Sequence, residues 1–192
     1  MNPHAATLRL AVFPRSSMLT DVLLVLAGTG FVALAAQVKI SLSFTPVPIT
    51  GQTFAVLLVG ASLGALLGIA SLGLYLFVGA LGAPIYAEGQ GGWDILTGPT
   101  GGYIVGFCCA AALVGWMAQR RWDRRFSSAV AAMLTGNVVI YAFGLPWLAR
   151  ELGTGLEGTL EAGLYPFVIG DLLKLYLAAT LLPAAWRLVG RR

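Results

Sequence analysis

YPFVIGDLLKLYLAATLLPAAW, residues 165–186, is a long apolar segment that contains one carboxylate and one ammonium group. A helix needs about 20 apolar residues to cross a bilayer, so the segment predicts a transmembrane helix. Asp171 and Lys174 are three positions apart, which places them on one helical face where their charges partly neutralise each other. A charged residue at membrane depth costs several kcal/mol unless it is paired or hydrated, so the pair is a candidate functional site.

The composition of the whole chain also indicates an integral membrane protein. Of its 192 residues, 58% are hydrophobic and 10% are charged, whereas soluble domains are about 25% charged. The net charge of +4 comes from short basic clusters between apolar segments. This pattern is typical of membrane topology signals and not of nucleic-acid binding.

The available residue types exclude several kinds of chemistry. His4 is the only histidine and lies in the polar N-terminal tail, so a histidine-based metal site or catalytic triad within the membrane is excluded. Cys108 and Cys109 are adjacent and point in different directions on a helix, so we interpret them as packing residues. Lys39 and Lys174 are the only lysines, and neither belongs to a P-loop motif. We therefore expect no metal, no cofactor and no ATPase activity.

The basic clusters predict the topology. Arg9 and Arg15 precede the first apolar segment, QRRWDRR spans residues 119–125, and three arginines end the chain (Arg187, Arg191 and Arg192). The positive-inside rule places all three clusters in the cytoplasm. An even number of spans must then separate the first two clusters, so residues 52–82 have to cross twice.

The resulting prediction is a single all-α membrane domain over residues 1–192, with six transmembrane helices and both termini in the cytoplasm. The predicted spans, after a cytoplasmic tail of residues 1–17, are 18–38, 52–67, 69–82, 99–118, 128–148 and 165–186. One alternative is a cleaved signal peptide, because ALA at residues 33–35 resembles a signal-peptidase site. We favour a retained span, since the apolar segment continues to about 20 residues.

Two outer segments are candidates for lining a pocket. GPTGGY, residues 98–103, places glycines and a proline at the mouth of the fourth span, where irregular backbone is tolerated only against protein or water. FTPVPITGQTF, residues 44–54, is either a plain connection or a lid whose Thr50 and Gln52 face a ligand. Small residues four apart, as at Gly60, Gly64 and Gly68, predict close packing of helices.

Further polar residues are predicted to lie near the charge pair. Asn137 in the fifth span comes to a similar depth if the fifth and sixth spans are antiparallel, and Tyr141 lies one turn away on the same face. One interpretation is that these groups only hold helices together. The other is a pocket, open to the outside, for a small ligand with hydrogen-bonding groups and an anionic tail.

Five motifs in order resemble the BioY family, the biotin-specific substrate-binding components of energy-coupling-factor transporters. The motifs are PVPITGQTFAVLLVGASLG, LGAPIYAEGQGG, LTGPTGGYIVGF, GNVVIYAFG and PFVIGDLLK. The resemblance implies a six-helix substrate component in the cell membrane that binds biotin from outside. It also implies partners, namely two ATP-binding-cassette ATPases and a transmembrane coupling subunit, in addition to the lipid bilayer.

The resemblance also implies roles for individual residues. Asn137, Asp171 and Lys174 match family positions implicated in biotin recognition, and we add Tyr86 of the second motif to the candidate site. Lys174 could neutralise Asp171, contact the ureido carbonyl or meet the valerate carboxylate. Members of this class use small residues on the first helix to dock on the coupling subunit, and Thr29 and Ala33 are the nearest such pair, although the motif is imperfect. The alternatives are a component for another vitamin or a membrane enzyme with Asp171 as general base.

Overall fold

The computed structural model describes residues 7–15 and 17–190, so His4, Arg191 and Arg192 lie outside the described residues. Most of this part of the chain is helical. The α-helices are α1 (Leu8–Val12), α2 (Met18–Gln37), α3 (Gln52–Leu63), α4 (Ala65–Ala80), α5 (Trp93–Thr97), α6 (Gly101–Gln119), α7 (Phe126–Leu152), α8 (Leu156–Gly163) and α9 (Val168–Gly190). Short 3-10 helices cover Ala87–Gly89 and Tyr165–Phe167. Strands β1 (Lys39–Ile40) and β2 (Ile49–Thr50) pair antiparallel.

Four segments of the described chain are long and apolar enough to cross a membrane. They are α2, α6, α7 and the continuous stretch Leu156–Val189, which contains α9. Helices α3 and α4 are also apolar but have only 12 and 16 residues. The protein is therefore a mainly helical, multi-pass membrane protein.

The break between α3 and α4 lies at Gly64, so the predicted boundary between residues 67 and 69 is wrong. Gly64 has φ +89°, a left-handed conformation that glycine adopts without a steric penalty. Gly68, at the predicted break, is helical and packs against Gly60, since a Cβ on Gly68 would lie 3.1 Å from the Gly60 Cα. The two helices form an antiparallel hairpin, because the Gln52 amide at the start of α3 donates to the Tyr75 hydroxyl in α4.

Helix α6 lies at the centre of the described fold, with 67% of its apolar window buried, whereas α2 is peripheral with 17% buried. The glycine spacing explains this close packing. A Cβ on Gly60 would lie 2.5 Å from the Ala111 carbonyl oxygen, and one on Gly106 would lie 3.2 Å from the Ile140 Cα. Backbones approach closely where side chains are absent, as expected for helices in lipid.

The basic clusters of the described chain meet at one end of the bundle, which we call the arginine end. Gly64 lies beside Thr7 of the N-terminal segment and Gln119 at the end of α6. The indole Nε1 of Trp186 in α9 donates to Asp123 in the α6–α7 loop across 2.5 Å. The arginines at this end are Arg9, Arg15, Arg120, Arg121, Arg124, Arg125 and Arg187. The bundle therefore brings together clusters that are far apart in sequence.

Candidate functional site

The Asp171–Lys174 pair of α9 forms the centre of a polar cluster. One carboxylate oxygen, Oδ1, accepts from Lys174 Nζ at 3.1 Å and from the Thr53 hydroxyl of α3 at 3.3 Å. The other, Oδ2, accepts from the Tyr141 hydroxyl of α7. Lys174 Nζ also donates to the Thr53 hydroxyl at 3.3 Å. Three helices thus contribute side chains to one buried carboxylate.

This cluster is largely withdrawn from solvent. The Asp171 and Lys174 side chains are 8% and 19% exposed. Removing charges from water is costly, and the cost is recovered only where the partners and the remaining lone pairs are well satisfied. The hydroxyl groups of Thr53 and Tyr141 donate to the remaining lone pairs of the Asp171 carboxylate. The cluster also leaves one face of the ion pair open to the cavity, because both residues line it.

A cavity of about 390 Å³ extends from this cluster towards the end opposite the arginines. That volume is within the usual range for small-molecule sites. Six of the seven predicted ligand-binding residues line it, namely Thr50, Gln52, Tyr86, Tyr141, Asp171 and Lys174. The GPTGGY segment also lines it, through Gly98, Pro99, Thr100 and Tyr103. Apolar side chains, including Ile104, Phe107, Ile140 and Phe167, complete the wall.

Asn137 is the exception, since it is buried but does not belong to the lining. Tyr141, not Asn137, is the α7 residue that reaches Asp171, so the predicted similar depth does not bring Asn137 into the cluster. Asn137 lies one turn further along α7 towards the arginine end, about 6 Å deeper. Among the described residues its Oδ1 has no hydrogen-bond partner.

A second polar network also contributes to the cavity wall. The Thr50 hydroxyl donates to Gln52 Oε1 at 2.9 Å, and Gln52 Nε2 donates to the Tyr75 hydroxyl at 2.7 Å. Tyr75 in turn donates to the Ile85 carbonyl at 3.2 Å. The Tyr86 hydroxyl donates to the Leu76 carbonyl at 2.7 Å. These bonds fix Gln52 at the start of α3 and hold Tyr86, which follows α4 in the chain, against that helix.

The sequence analysis did not identify Thr53, Tyr75 or Tyr103. Thr53 is adjacent to the predicted Gln52, and Tyr103 ends the GPTGGY segment, where we considered the backbone and not the side chain. A signal existed for Tyr75, because a phenol in an apolar segment must find a hydrogen-bond partner when buried. Which partner it finds depends on the hairpin between α3 and α4.

The segment between β1 and β2 lines the cavity, and its function as a lid stays a prediction. The Thr45 hydroxyl donates to the Ala162 carbonyl of α8 at 2.6 Å, which ties the tip of this lid (residues 41–48) to the far side of the cavity. Its base is tied by the Lys39–Glu88 ion pair at 2.8 Å and by a bond from the Ser41 hydroxyl to Glu88 at 2.7 Å. These two hydrogen bonds lower the pKa of the Glu88 carboxyl.

The predicted docking pair on α2 faces the interior of the bundle. The Thr29 hydroxyl donates to the Ser71 carbonyl of α4 at 2.8 Å, and Ala33 packs against the hydrophobic core. Both residues are only half-buried, and their assignment as a docking pair stays a prediction. The small residues on the exposed face of α2 are Ala27 and Gly30, and a Cβ on Gly30 would meet nothing within 4 Å.

The fold and the site together define a multi-pass membrane protein whose helices enclose a lidded cavity for a small ligand. The BioY family matches residues 6–191. The biotin transporter BioY of Rhizobium etli is 37% identical over 78% of this chain and 83% of its own length. A probable biotin transporter BioY of Pyrococcus horikoshii is 38% identical over 83% of this chain and 92% of its own.

The chain belongs to the BioY family. A crystal structure of the S-component for biotin from an ECF-type ABC transporter has the same fold, with a TM-score of 0.78 over 90% of this chain and 95% of that one, at 24% identity. The relatives are named as transporters, which supports a non-enzymatic role and not the general-base alternative.

Proposed function

We propose that this protein binds biotin in the lidded cavity and acts as the substrate-specific component of an energy-coupling-factor transporter. The observation that carries the proposal is the Asp171, Lys174, Tyr141 and Thr53 cluster at the base of a cavity, in a chain of the BioY family. The relatives named as biotin transporters support the choice of ligand.

The chemistry of the cavity suits a ureido ring with an apolar tail. Such a ring offers two N–H donors and one carbonyl acceptor, and Asp171 is the natural acceptor for the donors. The Lys174 ammonium has three N–H groups, of which two bind Asp171 and Thr53. The third is a candidate donor to the ring carbonyl or the valerate carboxylate. The apolar wall suits the thioether ring and the methylene chain.

The remaining predicted residues have distinct proposed roles. Thr50, Gln52 and Tyr86 form a second polar part of the wall, and their bonded positions suit them to fixing the orientation of the ligand. Asn137 supports the polar floor from below, because its buried Oδ1 lies one turn beneath Tyr141.

We propose that the chain crosses the cell membrane six times, with the arginine end in the cytoplasm and the cavity open to the outside. The convergence of the basic clusters supports this orientation through the positive-inside rule. The short helices α3 and α4, about 18 and 24 Å long, would be the second and third crossings.

We propose that uptake depends on two ATP-binding-cassette ATPases and a transmembrane coupling subunit. The absence of a P-loop motif in the sequence supports the need for partner ATPases. The exposed face of α2, with Ala27 and Gly30, is the proposed contact for the coupling subunit, because α2 is the least buried of the long helices.

Titration of the purified protein in detergent tests the ligand. We expect saturable binding of biotin and no comparable binding of thiamine or riboflavin. A folded sample that binds thiamine or riboflavin, and not biotin, would instead identify a component for another vitamin.

A further inference from the structure

The arginine end carries surface charge of one sign. Among the described residues, its two carboxylates are both withdrawn from the surface or paired. Asp21 forms an ion pair with Arg9, and Asp123 is 1% exposed. Five arginines at this end are exposed, namely Arg15, Arg120, Arg121, Arg125 and Arg187. The opposite end holds most of the acidic residues, which are Glu88, Asp94, Glu151, Glu157 and Glu161.

The α6–α7 loop concentrates this charge. Asp123 points inward to the indole of Trp186, whose ring lies 4.1 Å below the guanidinium carbon of Arg124. The only carboxylate of the loop is thereby removed from the surface. The exposed arginines Arg120, Arg121 and Arg125 consequently have no acidic neighbour within the loop.

The backbone holds this loop in one shape. The amides of Arg121 and Trp122 donate to the carbonyls of Ala118 and Met117 at 2.8 and 3.2 Å, so the loop folds back on the last turn of α6. Arg121 has φ +69°, which a non-glycine residue rarely adopts. Such a conformation turns the chain sharply between Arg120 and Trp122.

Aromatic side chains accompany the arginines. Trp116 and Trp122 are 47% and 41% exposed, and the guanidinium carbon of Arg120 lies 3.5 Å from the centroid of the Trp116 ring. Exposed tryptophans at the ends of transmembrane helices favour the boundary between headgroups and acyl chains. A stacked guanidinium keeps its donors free for a second group, and its planar fork matches a phosphate.

We propose that the α6–α7 loop is a binding site for an anionic phospholipid headgroup. The phosphate binds the guanidinium groups of Arg120, Arg121 and Arg125, and the indoles of Trp116 and Trp122 contact the upper acyl chain. A lipid fits better than a protein partner because indoles at membrane level alternate with the arginines. Basic groups near an anionic membrane surface attract anionic lipids, and three exposed arginines lie within this one loop.

Quenching of tryptophan fluorescence by brominated lipids tests this site. Trp93 and Trp147 lie at the opposite end, and Trp147 Nε1 donates to the Gly98 carbonyl there, so both are replaced by Phe. In vesicles, we expect the quenching of the remaining tryptophans to show that brominated phosphatidylglycerol binds beside them roughly threefold or more tightly than brominated phosphatidylcholine. A triple variant should bring the ratio of the two lipid affinities close to one; it combines Arg120→Gln, Arg121→Gln and Arg125→Gln. The matched control Arg150→Gln should not change this ratio.

High salt and free phosphate distinguish a lipid site from other causes of the same preference. In about 1 M salt, interactions between charges are screened beyond about 3 Å. The preference for phosphatidylglycerol of the protein that keeps all three arginines should then largely disappear. Added inorganic phosphate at millimolar concentration should leave the preference intact. Equal quenching by both lipids, or a ratio unchanged in the triple variant, would overturn the proposal. So would abolition by free phosphate, which would identify a site for soluble anions.

Discussion

At the scale of single residues, the main feature is a charged pair that the bundle satisfies from three helices. Asp171 accepts from Lys174, Thr53 and Tyr141, so its charge is compensated by one cation and two hydroxyl groups. Removing one member of a buried ion pair leaves an uncompensated charge, which costs more than the pair contributes. The pair is therefore sensitive to substitution whether it binds ligand or only holds helices together, and ligand affinity distinguishes the two roles.

Lys174→Ala should weaken biotin binding by more than tenfold, or about 1.4 kcal/mol or more. The physical reason is the loss of an ammonium donor beside Asp171 at the cavity base. Calorimetric titration measures the change, with Arg150→Gln as a control for an exposed cation far from the cluster. If the folded Lys174→Ala protein binds biotin with the native affinity, the Asp171–Lys174 pair only holds helices together.

Asp123→Asn should change the pH dependence of thermal stability. Burial raises the pKa of Asp123 to about 6, against about 3.9 for an ordinary aspartate. Between these values the folded protein holds a proton that the unfolded chain has released, so the carboxyl contributes stability at low pH that is lost as pH rises through about 6.

The melting temperature of the native chain relative to Asp123→Asn should therefore fall between pH 4 and 7, by the equivalent of roughly 2 kcal/mol. The amide keeps an acceptor for Trp186 and does not titrate. Parallel melting curves for the two proteins over this range would contradict the account.

At the scale of elements, the lid and the α3–α4 hairpin shape the cavity. The lid connects the two strands of the β1–β2 hairpin. Its tip is held by a hydrogen bond from Thr45 to Ala162, and its base is held by Glu88. The sequence left FTPVPITGQTF open as either a plain connection or a lid, because it combines prolines with hydroxyls. It could not predict that the tip docks on α8, since that contact joins residues 117 positions apart.

Thr45→Val should increase the dissociation rate of biotin several-fold. A valine has the same shape but cannot donate to the Ala162 carbonyl, and a net hydrogen bond contributes about 1 kcal/mol. Stopped-flow displacement of labelled biotin measures the rate, and Thr97→Val is a matched control because its hydroxyl bonds only within α5. If both variants release biotin at the native rate, the lid does not retain the ligand.

The hairpin shows where sequence-based prediction failed. A turn is possible at any of four glycines in this part of the sequence, and no charged residue indicates which one it uses. The four are Gly60, Gly64, Gly68 and Gly73. Packing decides the position, because Gly60 and Gly68 are needed where α3 and α4 approach each other and Ala111, which leaves Gly64 for the turn. The same dependence on packing explains why Asn137 does not line the cavity and why Thr29 bonds to Ser71, because helix rotation and register decide both.

At the scale of the whole molecule, charge is distributed along the bundle axis. Seven arginines of the described chain meet at one end, while the cavity and most carboxylates lie at the other. Hydropathy and the positions of arginines in the sequence predicted this arrangement, because both follow from the membrane and not from side-chain packing. The order of five motifs predicted the family, and the comparisons confirmed it.

The proposed dependence of uptake on partner subunits is tested at the scale of the whole assembly. Cells that express this chain with the two ATPases and the coupling subunit should accumulate labelled biotin against a gradient, and cells that lack the ATPases should not. Equal accumulation in both would remove the need for partners.

The central claim is that the Asp171 cluster forms the base of a biotin site. Calorimetric titration of biotin into the native protein and into folded Asp171→Asn tests it most directly. We predict saturable, one-to-one binding by the native protein and an affinity at least tenfold lower in Asp171→Asn, or about 1.4 kcal/mol or more. Saturation of both proteins with the same affinity, or no binding by the native protein, would contradict the claim.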